Sequence, residues 1–148
     1  MELTIQPVDA TNREDVLGLT VHPGQQGFIE TPAACLQDAA DYPEFRPVGL
    51  YADEVLVGFA MYGALRDSAG GRNVWMDRLL IDAQYQGEGL GRSFTRLLLE
   101  RLDQEYGRQP IYLSVFEENL GARRLYESFG FEFIHEYDAD GEWIYRKT

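Results

Sequence analysis

Apolar and polar side chains alternate from Leu3 to Val8, the period of a half-buried strand, and a first strand is predicted there. Asn12 to Leu19 reads as a short helix with Thr11 or Asn12 as its cap. Val21 to Gly27 is rich in turn formers and reads as loop. Thr31-Pro32 has the capping residue and first-turn proline of a second helix, which should run to about Ala40, with Pro43 and Pro47 closing that segment. Val48 to Ala52 and Val55 to Leu65, joined by Asp53-Glu54, form a hairpin. Gly58 and Gly63 in its second arm mark a bulge or a close approach of backbone. Arg66 to Arg72 is polar loop, and Val74 to Ile81 is apolar enough for an inner strand. Leu90 to Tyr106 carries one apolar stripe, Leu90, Phe94, Leu97, Leu98, Leu102 and Tyr106, and is the clearest helix. Pro110 to Val115 is a strand. Asn119 to Phe129 is a helix stopped by Gly130, and Phe131 to Tyr137 pairs with Trp143 to Lys147 around an Asp140-Gly141 turn.

That order gives about seven strands and four helices, a mixed sheet with helices on its faces: an α/β (α+β) protein, neither doubly wound nor all-β. A length of 148 residues, without repeat or linker, predicts one domain over residues 1–148. One cysteine, Cys35, allows no internal disulfide, and its neighbours suggest a small buried residue. His22 and His135 lack ligand-like spacing, so no metal is expected. No apolar block long enough to span a membrane and no secretory leader is visible, and a cytoplasmic protein is expected. Twenty-five acidic residues against 13 basic ones give a net charge of −12, which argues against nucleic acid as a partner and favours cations wherever carboxylates line a pocket.

The stretch with chemical content is Gln86-Gly87-Glu88-Gly89-Leu90-Gly91-Arg92, between the inner strand and the long helix. Glycines at alternate positions leave backbone N–H groups uncovered, and the first N–H groups of a helix have no partner within it. Together they make either a plain glycine-rich turn or a cradle for pyrophosphate, to which Arg92 and Arg96 could add charge. The nucleotide-triphosphate loop is excluded, because Arg92-Ser93 follows Gly91 where Lys-Ser/Thr is needed. The dinucleotide fingerprint is excluded too, because its third glycine would stand at Arg92.

Gln86 to Gly91 resembles the Gln/Arg-x-x-Gly-x-Gly/Ala signature of the GNAT superfamily of acetyl-CoA-dependent N-acetyltransferases. Asn119-Leu120-Gly121-Ala122-Arg123-Arg124-Leu125-Tyr126-Glu127-Ser128-Phe129-Gly130-Phe131 resembles the Asn-x-x-Ala-x-x-Leu-Tyr-x-x-x-Gly-Phe block of the same superfamily. Pro47 to Tyr51, Val57 to Gly63 and Asp77 to Asp82 resemble its bacterial spermine/spermidine acetyltransferase branch. The resemblance implies a GNAT fold with a mixed, largely antiparallel sheet. It implies acetyl-CoA as co-substrate and an amine as acceptor, in a chain that in many relatives forms a homodimer.

It implies that backbone groups of Leu79 and Ile81 pair with the pantetheine arm where a bulged strand splays from its neighbour, and that a backbone N–H of Leu79 or Leu80 polarises the thioester carbonyl. Gln86, Gly87, Glu88, Gly89, Leu90, Gly91 and Arg92 would hold the diphosphate. Asn119 caps its helix on sequence grounds and would also touch the cofactor arm. Tyr126, seven residues on, shares its face and would protonate the departing thiolate as general acid. Asp77 and Glu30 are the candidates for receiving the amine proton, each with the plain alternative of a surface or salt-bridged carboxylate. Phe28, Glu30, Asp41, Tyr42, Tyr62 and Asp77 would form an acidic, aromatic wall for a polycationic amine. The alternatives are another amine (an aminoglycoside or a protein N-terminus) and a module that binds acetyl-CoA without turnover.

Overall fold

A computed structural model describes all residues from Met1 to Thr148. One sheet holds every strand: β1 (Leu3–Pro7), β2 (Phe45–Ala52), β3 (Val55–Arg66), β4 (Arg72–Ile81), β5 (Ile111–Val115), β6 (Glu132–Tyr137) and β7 (Trp143–Lys147). Their spatial order is β1-β2-β3-β4-β5-β7-β6, and only the β4–β5 pairing is parallel. The helices are α1 (Arg13–Leu17), α2 (Pro32–Asp41), α3 (Leu90–Tyr106) and α4 (Leu120–Ser128). The α+β architecture therefore matches the expectation from sequence, and α3 and β7 match to the residue.

Most differences lie at element ends. β2 starts at Phe45, so Pro47 lies inside the strand instead of closing the preceding segment. Its carbonyl accepts from the Val8 N–H on the β1 side at 3.1 Å. The missing proline N–H faces that same side, past the last β1 pair at Pro7–Val48. Asn12 precedes α1 but does not cap it. Its side-chain amide donates instead to the Pro7 carbonyl at 3.1 Å and the Tyr51 hydroxyl at 3.0 Å. Thr31 does cap α2, its hydroxyl accepting from Ala34 N–H at 3.2 Å.

Two apolar clusters fill the two faces of the sheet. The larger joins the α3 stripe (Leu90, Phe94, Leu98, Leu102) to Tyr62, Val74, Met76, Leu113 and Tyr145. The smaller joins Val16, Cys35 and Leu36 of the α1–α2 side to Phe59, Met61 and Leu80.

Two bulges decide which residues reach which face. In β3, Val57 is an extra residue between the Leu50–Gly58 and Tyr51–Leu56 pairs. In β4, Asp77 is an extra residue between the Tyr62–Met76 and Met61–Arg78 pairs. Side chains alternate along a strand, so one inserted residue reverses the alternation beyond it. Val74 and Met76 therefore share the α3 face with Leu79 and Ile81, while Leu80 turns into the opposite cluster.

The β3–β4 approach is close at Gly58, where a Cβ would run into the Leu80 carbonyl oxygen. Any other residue there would separate the strands beside the first bulge.

Candidate active site

β4 and β5 pair only at Val74–Ile111 and Trp75–Tyr112. Beyond the Asp77 bulge they diverge, and the opening is lined from both sides. One cavity of about 570 Å³ is bounded by Phe28, Glu30, Asp77, Leu79, Asn119, Tyr126, Asp140 and Glu142, among others. A second, of about 420 Å³, runs along Ile81, Gln86, Gly87, Gly89, Leu90 and Gly91 toward the start of α3. Ile29, Leu79, Asn119, Ala122 and Tyr126 line both. The cavities therefore meet at Tyr126, which stands between a carboxylate-rich chamber and a glycine-lined groove.

The groove is built by backbone. Gly87 and Gly89 have φ of 85° and 77°, the left-handed region that a side chain makes costly. No side chain caps α3, and the first N–H of its first turn bonded to the preceding loop is that of Ser93, to the Gly89 carbonyl at 3.2 Å. The N–H groups of Leu90, Gly91 and Arg92 lie before it at the positive end of a 17-residue helix, an arrangement suited to phosphate. Arg92 and Arg96 lie over the Phe129 ring at 5.6 and 5.7 Å, and Arg92 donates to the Ser128 hydroxyl at 3.0 Å.

The Gln86 side chain is engaged within the protein. It exchanges two hydrogen bonds with the Gln25 amide at 2.9 and 3.0 Å and donates to the Ile81 carbonyl at 2.8 Å. It therefore braces the 22–30 loop against the groove, and phosphate contacts from this residue would have to come from backbone. Glu88 and Leu80 line neither cavity.

α4 carries Asn119 and Tyr126 into the opening. Asn119 caps it, accepting from Ala122 N–H at 3.4 Å. Arg123 fastens the helix to β7, with its guanidinium 4.6 Å from the Trp143 ring centroid and its Nε donating to the Tyr145 hydroxyl at 3.1 Å. The Tyr126 ring packs edge-on against Phe131 at 5.9 Å, and its hydroxyl makes no hydrogen bond within the protein. Burial pushes its pKa well above the ordinary value of 10, so the phenol keeps its proton through the neutral range.

In the chamber, Arg78 holds two carboxylates. It meets Glu30 at 2.7 Å and Asp77 at 3.0 Å, and also donates to the Asp77 carbonyl at 2.9 Å. Burial raises the Asp77 pKa, against the lowering effect of Arg78. Phe28 leans on Phe116 with centroids 6.4 Å apart and closes one wall.

The other expected wall residues lie elsewhere. The Tyr62 ring is 2 % exposed in the large core, its hydroxyl donating to Glu105 at 2.6 Å, because its place on β3 points it at α3. Asp41 and Tyr42 end α2, about 15 Å of helix beyond the Thr31 cap, which follows the chamber residue Glu30. Asp41 accepts from Gln37 there, and Tyr42 packs on Phe45. The chamber takes its remaining acidity from Asp140, which sequence assigns only to a turn, and from Glu142, which sequence leaves without a role.

Residues 10–131 match the family model described as Acetyltransferase (GNAT) family. The chain belongs to the GNAT acetyltransferases. Its co-substrate is acetyl-CoA and its reaction is acetyl transfer. The chain is 44% identical to the spermine/spermidine N(1)-acetyltransferase of Bacillus subtilis strain 168, over 97% of both chains. In fold it is similar to the spermidine N-acetyltransferase of Vibrio cholerae solved with CoA and spermine (TM-score 0.73, 18% identity, 97% of this chain and 92% of that one). It is also similar in fold to an aminoglycoside acetyltransferase solved with coenzyme A (TM-score 0.77, 20% identity, 99% of this chain and 95% of that one). No helix of this GNAT chain is long and apolar enough to cross a membrane.

Proposed function

We propose that this chain, acting as one domain over residues 1–148, acetylates a primary amine of a polyamine such as spermidine or spermine. The observation that carries the reading is the charge of the chamber. Glu30, Asp77, Asp140 and Glu142 face it with Arg78 as the counter-ion, a formal balance of −3 beside apolar and aromatic wall. A thin alkyl chain bearing several ammonium groups is complementary to that surface. The similarity to the Bacillus subtilis enzyme over nearly the whole chain supports the same acceptor class.

In this reading acetyl-CoA lies along the groove. Its diphosphate takes the N–H groups between Gly87 and Arg92, and its pantetheine arm follows Leu79 and Ile81 past Asn119. The thioester then sits where the two cavities meet. The amine attacks the carbonyl carbon directly, a backbone N–H at Leu79 or Leu80 stabilises the oxyanion, and Tyr126 gives its proton to the leaving sulfur.

The test is product identification. Spermidine incubated with acetyl-CoA and the protein should gain one acetyl group per coenzyme A released, by mass spectrometry. Stoichiometric hydrolysis without acetylated polyamine would refute the proposal.

A further inference from the structure

An alkylammonium titrates near 10.4, so at pH 7 about one acceptor molecule in a few thousand has a free lone pair. The chamber must take a proton before the amine can attack. Of its four carboxylates, Glu30 and Asp77 are tied to Arg78 at 2.7 and 3.0 Å, and protonating either dismantles an ion pair. Asp140 is exposed at the rim. Glu142 differs from all three. It is partly buried, its carboxylate has no ion pair, and no side chain or backbone group donates to it.

Its backbone is held firmly. The Asp138 carboxylate accepts from the N–H groups of both Asp140, at 3.0 Å, and Glu142, at 2.9 Å. Asp138 N–H donates to the Glu142 carbonyl at 3.0 Å. The β5–β7 ladder ends at the Val115–Trp143 pair, which sets the next residue, Glu142, over the end of β5 where the chamber opens.

We infer that Glu142 receives the proton of the reacting ammonium. The inference rests on the acceptor reading above. The Glu142 carboxylate takes one N–H proton and leaves R–NH₂. The nitrogen lone pair forms the C–N bond, and collapse of the tetrahedral adduct breaks the C–S bond, with the Tyr126 phenol protonating sulfur. The second nitrogen proton restores Tyr126, and Glu142 returns its own to solvent at the rim. The net change is R–NH₃⁺ plus acetyl-CoA to R–NHCOCH₃, CoASH and H⁺.

The electrostatics agree with the geometry. Burial first, then Asp138 and, further down, Asp140 on its own loop and Asp77 across on β4, push the Glu142 carboxyl up, while Arg78 of β4 lowers it; the balance is about 7. A base is most effective when its pKa lies near the working pH.

The experiment compares wild type with E142Q and E142D, using spermidine and a second primary amine that is already uncharged at neutral pH. For wild type, kcat/KM with spermidine should rise along a limb near pH 7. E142Q should lose that limb and fall about 10²–10⁴-fold at pH 7.5. With the uncharged amine the defect should shrink below tenfold, and E142D should recover part of the rate. Acetyl-CoA affinity, read by calorimetry, should stay unchanged and reports that each variant is folded. An E142Q defect confined to KM would mean that Glu142 only binds an ammonium, and would overturn the inference. So would an equal defect with both amines. Wild-type protein that turns over neither amine would instead refute the acceptor reading itself, and the role of Glu142 with it.

Discussion

Tyr126→Phe removes one oxygen and little else. The ring contact with Phe131 remains, and the lost hydroxyl has no hydrogen-bond partner in the protein, so no group is left unsatisfied. Stability should change by less than about 1 kcal/mol. The effect on rate can be bounded. A thiol like that of coenzyme A titrates near 8.5, so expelling it as a bare thiolate at pH 7 costs about 2 kcal/mol relative to the thiol even in water. That is a factor of roughly 30. The site is far less hydrated than water, since its desolvation alone raises the phenol pKa well above 10, and the bare thiolate is correspondingly worse there. The loss in kcat should therefore fall in the 10²–10⁴-fold range of general acids, about 3–5 kcal/mol in the barrier. The assay is the initial rate of thiol release at saturating acetyl-CoA and amine, with the dissociation constant for acetyl-CoA measured in parallel. A kcat within tenfold of wild type, with unchanged binding, would show that the sulfur leaves without Tyr126.

Other outcomes follow from the same structure. Gly58→Ala places a methyl on the Leu80 carbonyl and should cost about 1–3 kcal/mol, lowering the thermal midpoint by roughly 3–10 °C; an unchanged melt would mean that the strands part freely. Gln25→Ala breaks the amide pair that fixes the 22–30 loop to Gln86 beside the groove, and should weaken acetyl-CoA binding and raise the amine KM, each several-fold, measured by calorimetry and kinetics; unchanged values for both would mean that the pair holds nothing in place. Glu142 also affects stability. Its folded carboxyl keeps a proton up to about pH 7 and its unfolded one only to about 4.5, so its contribution is complete below 4.5 and is lost as pH rises through 7. Denaturant titrations should accordingly show E142Q gaining on wild type between pH 5 and 8, by about 1–2 kcal/mol once screening by solvent is allowed for.

Much of this protein is legible from its sequence where one physical rule acts alone. The α3 stripe needs only helical periodicity, and the groove needs only glycines ahead of a helix. Asn119 and Tyr126 lie seven residues apart on one short helix, so their common face follows from its pitch. What escaped depends on register and on distant chain. The single extra residue at Asp77 reverses the alternation in β4, sends Leu80 to the far face and sets Arg78 against Glu30; nothing in Val74 to Ile81 announces it. Tyr62 looked like a wall residue because its strand was known and its face was not. Asp140 reads as part of a turn, and Glu142 as the polar residue between that turn and β7. The signal that could have found them is their place at the head of β7: pairing that strand with β5 carries the turn to the mouth of the opening.

The central claim is that the acidic chamber selects a polycationic amine. Its most direct test sets kcat/KM for spermine and spermidine beside those for an aminoglycoside, lysine and a peptide N-terminus, at low salt and again at physiological salt, where screening acts beyond about 8 Å. The polyamines should lead the panel by a wide margin, and their KM should rise with salt. Equal turnover of uncharged-side-chain amines, or a polyamine KM indifferent to salt, would contradict it.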